Sequence, residues 1–320
     1  VYVTGTTDGN FDGQTNSGST DVFISKYAAD GSRLWSKLLG SSGREEAHAL
    51  VTGVDGSVYV AGYGDGDLDG TASNGLLNGF IARYQSGGSK VWVKPLEGSG
   101  TVDIVAMTVD SAGGIYVGGY AEGPLEGQTG YGDRDAFIAK YQPDGSRVWI
   151  SSLGGEGQDG IVAMAVGGDG FIYVAGNTTG SFDGQTHSDG YGPEGFISQY
   201  QADGTRRWTR FFGSTATLDG VTVGSDGAVY VSGTTNPNDN LDGHISNGGA
   251  DVFVSRFQPD GSKVWTRLLG SQADDFSGGM VSGGDGSVYV GGYTSGDFAG
   301  QTHAGDSVDG FVSRVVVAAP

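Results

Sequence analysis

Short apolar runs with every second residue polar or small recur along the chain, each closed by a glycine-bearing turn. No stretch keeps the 3.6-residue rhythm of a helix, so the pattern predicts strands almost throughout. The clearest run is Val58-Tyr59-Val60-Ala61-Gly62, entered through Asp55-Gly56. Its tyrosine returns as Tyr2, Tyr59, Tyr116, Tyr173, Tyr230 and Tyr289, in steps of 57, 57, 57, 57 and 59 residues. A period held over the whole length makes the repeat the unit of structure.

Each repeat carries four runs. Run A is small and apolar: His48–Val54, Val105–Val109, Ile161–Val166, Gly220–Val223 and Gly278–Ser282. Within or beside it stand Ala49, Ala106, Ala163, Gly220 and Gly279 at one repeat position, as a crowded innermost strand would require. Run B is the tyrosine strand, rich in Val, Ile and Tyr, and the Asp-Gly step before it marks a hairpin. Run C is the aromatic strand, written DVFISKY at 21–27 and DAFIAKY at 135–141, with Lys26, Arg83, Lys140, Gln199, Arg256 and Arg314 on a face expected to be exposed. Run D centres on Trp35, Trp92, Trp149, Trp208 and Trp265, flanked by Lys and Arg that can pair with loop carboxylates.

Four antiparallel strands every 57 residues predict an all-β β-propeller, most simply of six blades with the tryptophan on the outermost strand. Seven blades, or an all-β solenoid, are the alternatives. One domain over 1–315 is expected, with 316–320 as a tail, because no linker interrupts the period. The combination of VYVxG, D-x-F-x-x-K-Y and D-G-S-x-x-W resembles the SBBP β-propeller repeat over all 320 residues. That resemblance implies a propeller of a secreted or surface-attached bacterial protein, hence an extracellular or cell-surface location, and implies no reaction. The D-G-S-x-x-W hairpin also looks like the tryptophan motif of quinoprotein propellers. Runs B and C occur six times but A and D five times. A D–A hairpin upstream of Val1 would complete the ring; pairing with another copy is the weaker alternative.

Composition narrows the function classes. The 63 glycines fall at strand ends and turns, and without cysteine neither disulfides nor thiolate metal sites are available. No apolar run is long enough for a membrane helix. The net charge of −20 argues against nucleic acid as a partner and suits cations, basic partners or a glycan. Of the 37 acids, 14 lie in B–C loops and 9 in D–A loops, which a propeller puts on one face.

Two acid positions recur in the B–C loops. Asp12, Asp69, Glu126, Asp183 and Asp242 follow Phe, Leu or a similar residue and precede Gly, with Ala299 breaking the series. Asp21, Asp135, Glu194, Asp251 and Asp309 open the C strands, with Asn78 in the second repeat. Adding Asp65 and Asp67, these form a candidate oxygen-rich ligand set for calcium; capping of turns through their own backbone is the competing use. The histidines His187, His244 and His303 read as solvated loop residues, without the spacing of a metal triad. The favoured function is a non-enzymatic binding or structural module of a larger exported protein. The alternative is a propeller enzyme, a quinoprotein-like oxidoreductase or a lyase, with its site at the axial channel. His48 and Asp219 are the main ionisable groups on the A strands.

Overall fold

The computed structural model describes residues 1–70, 74–188, 192–212, 216–237, 240–305 and 307–316. Its strands form one antiparallel sheet per repeat, the architecture of a β-propeller. They fall into two compact units, Val1–Leu153 and Gly154–Pro320.

In the first unit, β1 (Tyr2–Thr7), β2 (Asp21–Tyr27) and β3 (Arg33–Leu39) make a three-stranded sheet. The second sheet is β4 (Glu45–Thr52), β5 (Val58–Gly64), β6 (Asn78–Tyr84) and β7 (Lys90–Leu96). The third repeats it with β8 (Val102–Val109), β9 (Ile115–Ala121), β10 (Asp135–Tyr141) and β11 (Arg147–Leu153). In the second unit, β12 (Asp159–Val166), β13 (Ile172–Thr178), β14 (Glu194–Tyr200) and β15 (Arg206–Phe211) form the fourth sheet. The fifth has β16 (Thr217–Val223), β17 (Val229–Thr234), β20 (Val252–Phe257) and β21 (Lys263–Leu269). A two-residue hairpin, β18 (Asn240–Leu241) with β19 (His244–Ile245), rises from its long loop. The last sheet is β22 (Asp275–Ser282), β23 (Val288–Thr294) and β24 (Asp309–Val315). Among the described residues the sole helical piece is a 3-10 turn at Leu68–Gly70.

Core side chains lie between successive sheets of each unit. Tyr59, Ile81, Ile104, Val117 and Phe137 fuse the second sheet to the third, and Tyr173, Ile197, Leu218, Val231 and Phe253 fuse the fourth to the fifth. Each such side chain contributes roughly 1.5–3 kcal/mol by leaving water. The A strands of neighbouring sheets touch, β4 with β8 and β12 with β16. Small residues permit this: Ala49 pairs with Ala61, Ala106 with Gly118 and Gly279 with Gly291. A Cβ on Gly220 would come within 3.0 Å of Met280 on the next A strand.

The tryptophans lock sheet to sheet. Trp92 Nε1 donates to the Pro143 carbonyl at 3.1 Å and Trp208 Nε1 to that of Pro259 at 3.2 Å, each in the C–D turn of the following sheet. At three positions the C-strand residue beside the tryptophan makes the same reach, which corrects the expectation that it is exposed; Arg314 is exposed as expected. Lys26 Nζ donates to Ser86 O, Arg83 Nη1 to Pro143 O, and Gln199, fully buried, to Pro259 O and the Tyr173 hydroxyl. Stacking of sheets covers both faces, so a polar residue in an alternating strand need not meet solvent.

Candidate functional site

The recurring acids make contacts within the fold. In the turn after each B strand, Asp12, Asp183 and Asp242 adopt φ of 51, 54 and 56°, the left-handed region that Asp tolerates better than most residues. From there each meets the cation that opens run D: Asp12 with Arg33, Asp183 with Arg206 at 3.0 Å, and Asp242 with Lys263 at 2.8 Å; Glu126 meets Arg147 at 2.7 Å. Asp21, Asp135, Glu194, Asp251 and Asp309 turn back into their own loops. They accept the backbone N–H of Ser17 (3.0 Å), Tyr131 (2.9 Å), Ser188 (2.8 Å), Asn247 (2.5 Å) and Ala304 (2.8 Å). Asp65 accepts the N–H of Arg44 at 2.7 Å. Asp67 is exposed just before the 3-10 turn, and the side chain of Asp69 lies outside the described residues. Among the described residues no three His, Asp or Glu side chains group as metal ligands.

A different set converges in the first unit. Every A strand carries one extra residue, a β-bulge, opposite its B strand: His48, Val105, Val162, Asp219 and Gly278. A bulge turns its side chain out of the regular alternation, a device for re-aiming a functional group. In the second sheet that group is His48. Its Nδ1 lies 3.2 Å from Oδ1 of Asp103, a buried carboxylate on β8, and its Nε2 lies 3.8 Å from Glu46. The ring stands edge-on to Tyr63 with centroids 5.4 Å apart. Glu46 also takes two hydrogen bonds from Arg44, whose guanidinium sits over the Tyr63 ring. Beyond Asp103, Tyr120 carries the Arg134 guanidinium on its face at 4.4 Å.

The electrostatics follow from this chain of alternating charge. The hydrogen bond to Asp103 raises the His48 pKa against the opposing effect of burial, and Glu46 adds to the rise. Burial and the Glu46 carboxylate push Tyr63 up to about 12, so it stays a neutral donor. At 3.2 Å from Asp103 Oδ1 and 3.8 Å from a Glu46 oxygen, the ring lies between two carboxylates that favour its charged form.

The fifth sheet places Asp219 at the same bulge position. Thr234 Oγ1 donates to it at 3.2 Å, and burial raises its pKa to about 6. His187 Nε2 donates to Gly192 O at 3.1 Å, and His303 is 3.9 Å from Asp309, so both are tied into their own loops. The sequence pattern singled out His48 and Asp219. It did not find Asp103, Glu46, Tyr63 or Tyr120, although period arithmetic offers a signal: Glu46 and Asp103 share one repeat position, Tyr63 and Tyr120 another.

No family model matches the chain. It is 26% identical over 369 residues to the regulatory protein FlaEY of Caulobacter vibrioides, an alignment covering 98% of this chain and 38% of that protein. It is 23% identical over 323 residues to an uncharacterized WD repeat-containing protein of Acanthamoeba polyphaga mimivirus, covering 86% of this chain and 21% of the other. The chain thus spans well under half the length of these relatives. Virginiamycin B lyase from Staphylococcus aureus superimposes with a TM-score of 0.51 at 13% identity, over 97% of this chain and 88% of that one. At that identity the likeness is one of fold, and together these findings place the chain among β-propeller repeat proteins.

Proposed function

We propose that the chain is a non-enzymatic, SBBP-type binding module of a longer exported protein, and that its ligand contacts the His48 cluster of the first unit. The observation that carries this reading is the bulged His48 held at 3.2 Å by buried Asp103, with Glu46, Tyr63 and Arg44 around it. The acids of the B–C loops are engaged with Arg, Lys and backbone N–H, which moves the favoured contact away from them. A ring fixed by a carboxylate, a phenol and a guanidinium offer both donors and acceptors to a polar ligand such as a glycan or a peptide. FlaEY is named a regulatory protein, and a regulatory role through binding fits the same reading.

One observation favours a second reading. The Asp103–His48 pair has the form of a general base with its orienting carboxylate, so an acid–base enzyme would use Nε2 of His48 as the proton carrier. A glycan and peptide array probed with wild type, His48→Ala and Asp103→Asn separates the two. Partners bound by wild type, lost by both variants and recovered chemically unchanged support the module. Partners retained by His48→Ala sink the site, and partners converted by wild type alone make the enzyme.

A further inference from the structure

The fourth sheet departs from the repeat at three positions that meet in one place. Phe171 stands where four other sheets have Ser57, Gly114, Ala228 and Ser287. Arg207 stands where the other tryptophan strands have Leu34, Val91, Val148 and Val264. Gln199 stands where the other C strands carry Lys26, Arg83, Lys140, Arg256 and Arg314. These three, with Trp208 and with Pro259 and Asp260 from the C–D turn of the fifth sheet, line a cavity of about 310 Å³.

The glutamine leaves this space open. In the second sheet Arg83 sends Nη1 to Pro143 O at 2.9 Å and Nη2 to Asp55 at 2.7 Å; in the fifth, Arg256 reaches Asp226 at 3.0 Å. Glutamine ends where the Nε of an arginine stands, so the room a guanidinium would take stays free. Gln199 is fully buried, and its Nε2 donates to the Tyr173 hydroxyl at 2.8 Å and to Pro259 O at 3.0 Å. A backbone carbonyl only accepts, which fixes the amide and makes Oε1 its other end. That oxygen is buried and has no hydrogen-bond partner among the described residues. Folded proteins rarely leave a buried acceptor unpaired, so this wall of the cavity calls for a donor.

We propose that this cavity binds a neutral pyranose unit of a glycan, at a site separate from the His48 cluster of the first unit. Each neighbour narrows the ligand. Oε1 of Gln199 needs a donor, and the Arg207 guanidinium, which has N–H groups and no acceptor, needs an acceptor. A hydroxyl is both. A cationic ligand would lie against Arg207, which already holds its guanidinium over the Phe171 ring at 4.8 Å. An anionic ligand would meet Asp260 in the wall, Asp169 bonded to the Tyr173 hydroxyl at 3.1 Å, and a protein of charge −20. Phe171 and Trp208, both half-buried, give the wall an apolar, aromatic part. A sugar ring offers a C–H face to such a wall and hydroxyls around its edge; a peptide amide offers the same polar pair without that face.

The test titrates cellohexaose, mannohexaose and chitohexaose into the 320-residue protein, with hexalysine and an oligogalacturonate as charged controls. Calorimetry reads binding, and the indole N–H resonance of Trp208 reports the site. Saturable binding of at least one neutral hexaose, with a shift of that resonance, is expected. Gln199→Arg, Phe171→Ser and Arg207→Val each restore a residue that another sheet carries at the same position. Each should weaken binding by about tenfold or more, while His48→Ala binds as wild type does. A thermal melt checks folding, and the half-buried and exposed positions 171 and 207 keep the test decisive if Gln199→Arg fails to fold. Absence of saturable binding by all three hexaoses up to about 10 mM overturns the proposal. Undiminished binding in Phe171→Ser and Arg207→Val overturns it too, and so does loss in His48→Ala, which would put the sugar at the other site. A Trp208 shift driven by either charged control in place of the neutral sugars overturns the ligand class.

Discussion

At the scale of single residues, the repeat works as a control experiment built into the chain. Five bulge positions have the same backbone, and three carry Val or Gly; a side chain that departs, His48 or Asp219, does so against a fixed frame. Asp219 gives the cleaner prediction. Its folded pKa, about 6, lies above the unfolded value near 3.8 because burial disfavours the charged form. Its contribution is therefore fully present below the unfolded value and is lost as pH rises through the folded one. Asp219→Asn keeps an acceptor for Thr234 and removes that loss, so it should melt higher than wild type at about pH 7.5 and equally at about pH 4. A gain on the order of 1 kcal/mol would appear as roughly 2–4 °C. Equal melting at both pH values would show the carboxylate to be solvated. These two residues were legible in the sequence because they break a pattern. Asp103 was not, because nothing local says that a carboxylate on one repeat faces the bulge of the repeat before it.

At the scale of elements, the strands and their order were readable because Tyr, Phe and Trp mark B, C and D at a constant spacing. What alternation could not report is the second face. Lys26, Arg83 and Gln199 read as solvent-facing, yet each reaches a carbonyl of the next sheet. The tryptophan shares that carbonyl, so the C–D turn of one sheet is held by two strands of its neighbour. Trp208→Phe keeps most of the apolar contact and leaves the Pro259 carbonyl to Gln199 alone, a cost of about 1 kcal/mol. Trp208→Ala also opens a void against Tyr173 and Arg210 and should cost about 3–5 kcal/mol. Urea unfolding of the two variants measures both. Equal losses for Phe and Ala would put the whole effect in the hydrogen bond and contradict the packing account.

At the scale of the whole molecule, a charge of −20 must be reconciled with a stable fold, and calcium is the proposal that bears on it. Two kinds of partner already meet the acids. Arg and Lys pair with Asp12, Glu126, Asp183 and Asp242; loop N–H groups meet Asp21, Asp135, Asp251 and Asp309; and the remaining repulsion is long-range. Exposed ion pairs of this kind are worth about 0–1 kcal/mol each, and ionic strength screens them along with the repulsion. The fifth and sixth sheets keep one unresolved debt, since Asp251 and Asp275 are both buried with Oδ1 unpartnered among the described residues. Burial and the neighbouring Asp275 raise the Asp251 pKa, so a proton or a cation there would stabilise the fold. A diffuse need for counterions predicts that the melting midpoint rises with sodium chloride and is the same in calcium chloride of matched ionic strength. It also predicts that Asp251→Asn raises the midpoint near neutral pH, the advantage vanishing in acid as the wild-type carboxyl protonates. A calcium-specific rise that survives matched ionic strength and is lost in Asp251→Asn would instead place a bound cation between the two carboxylates.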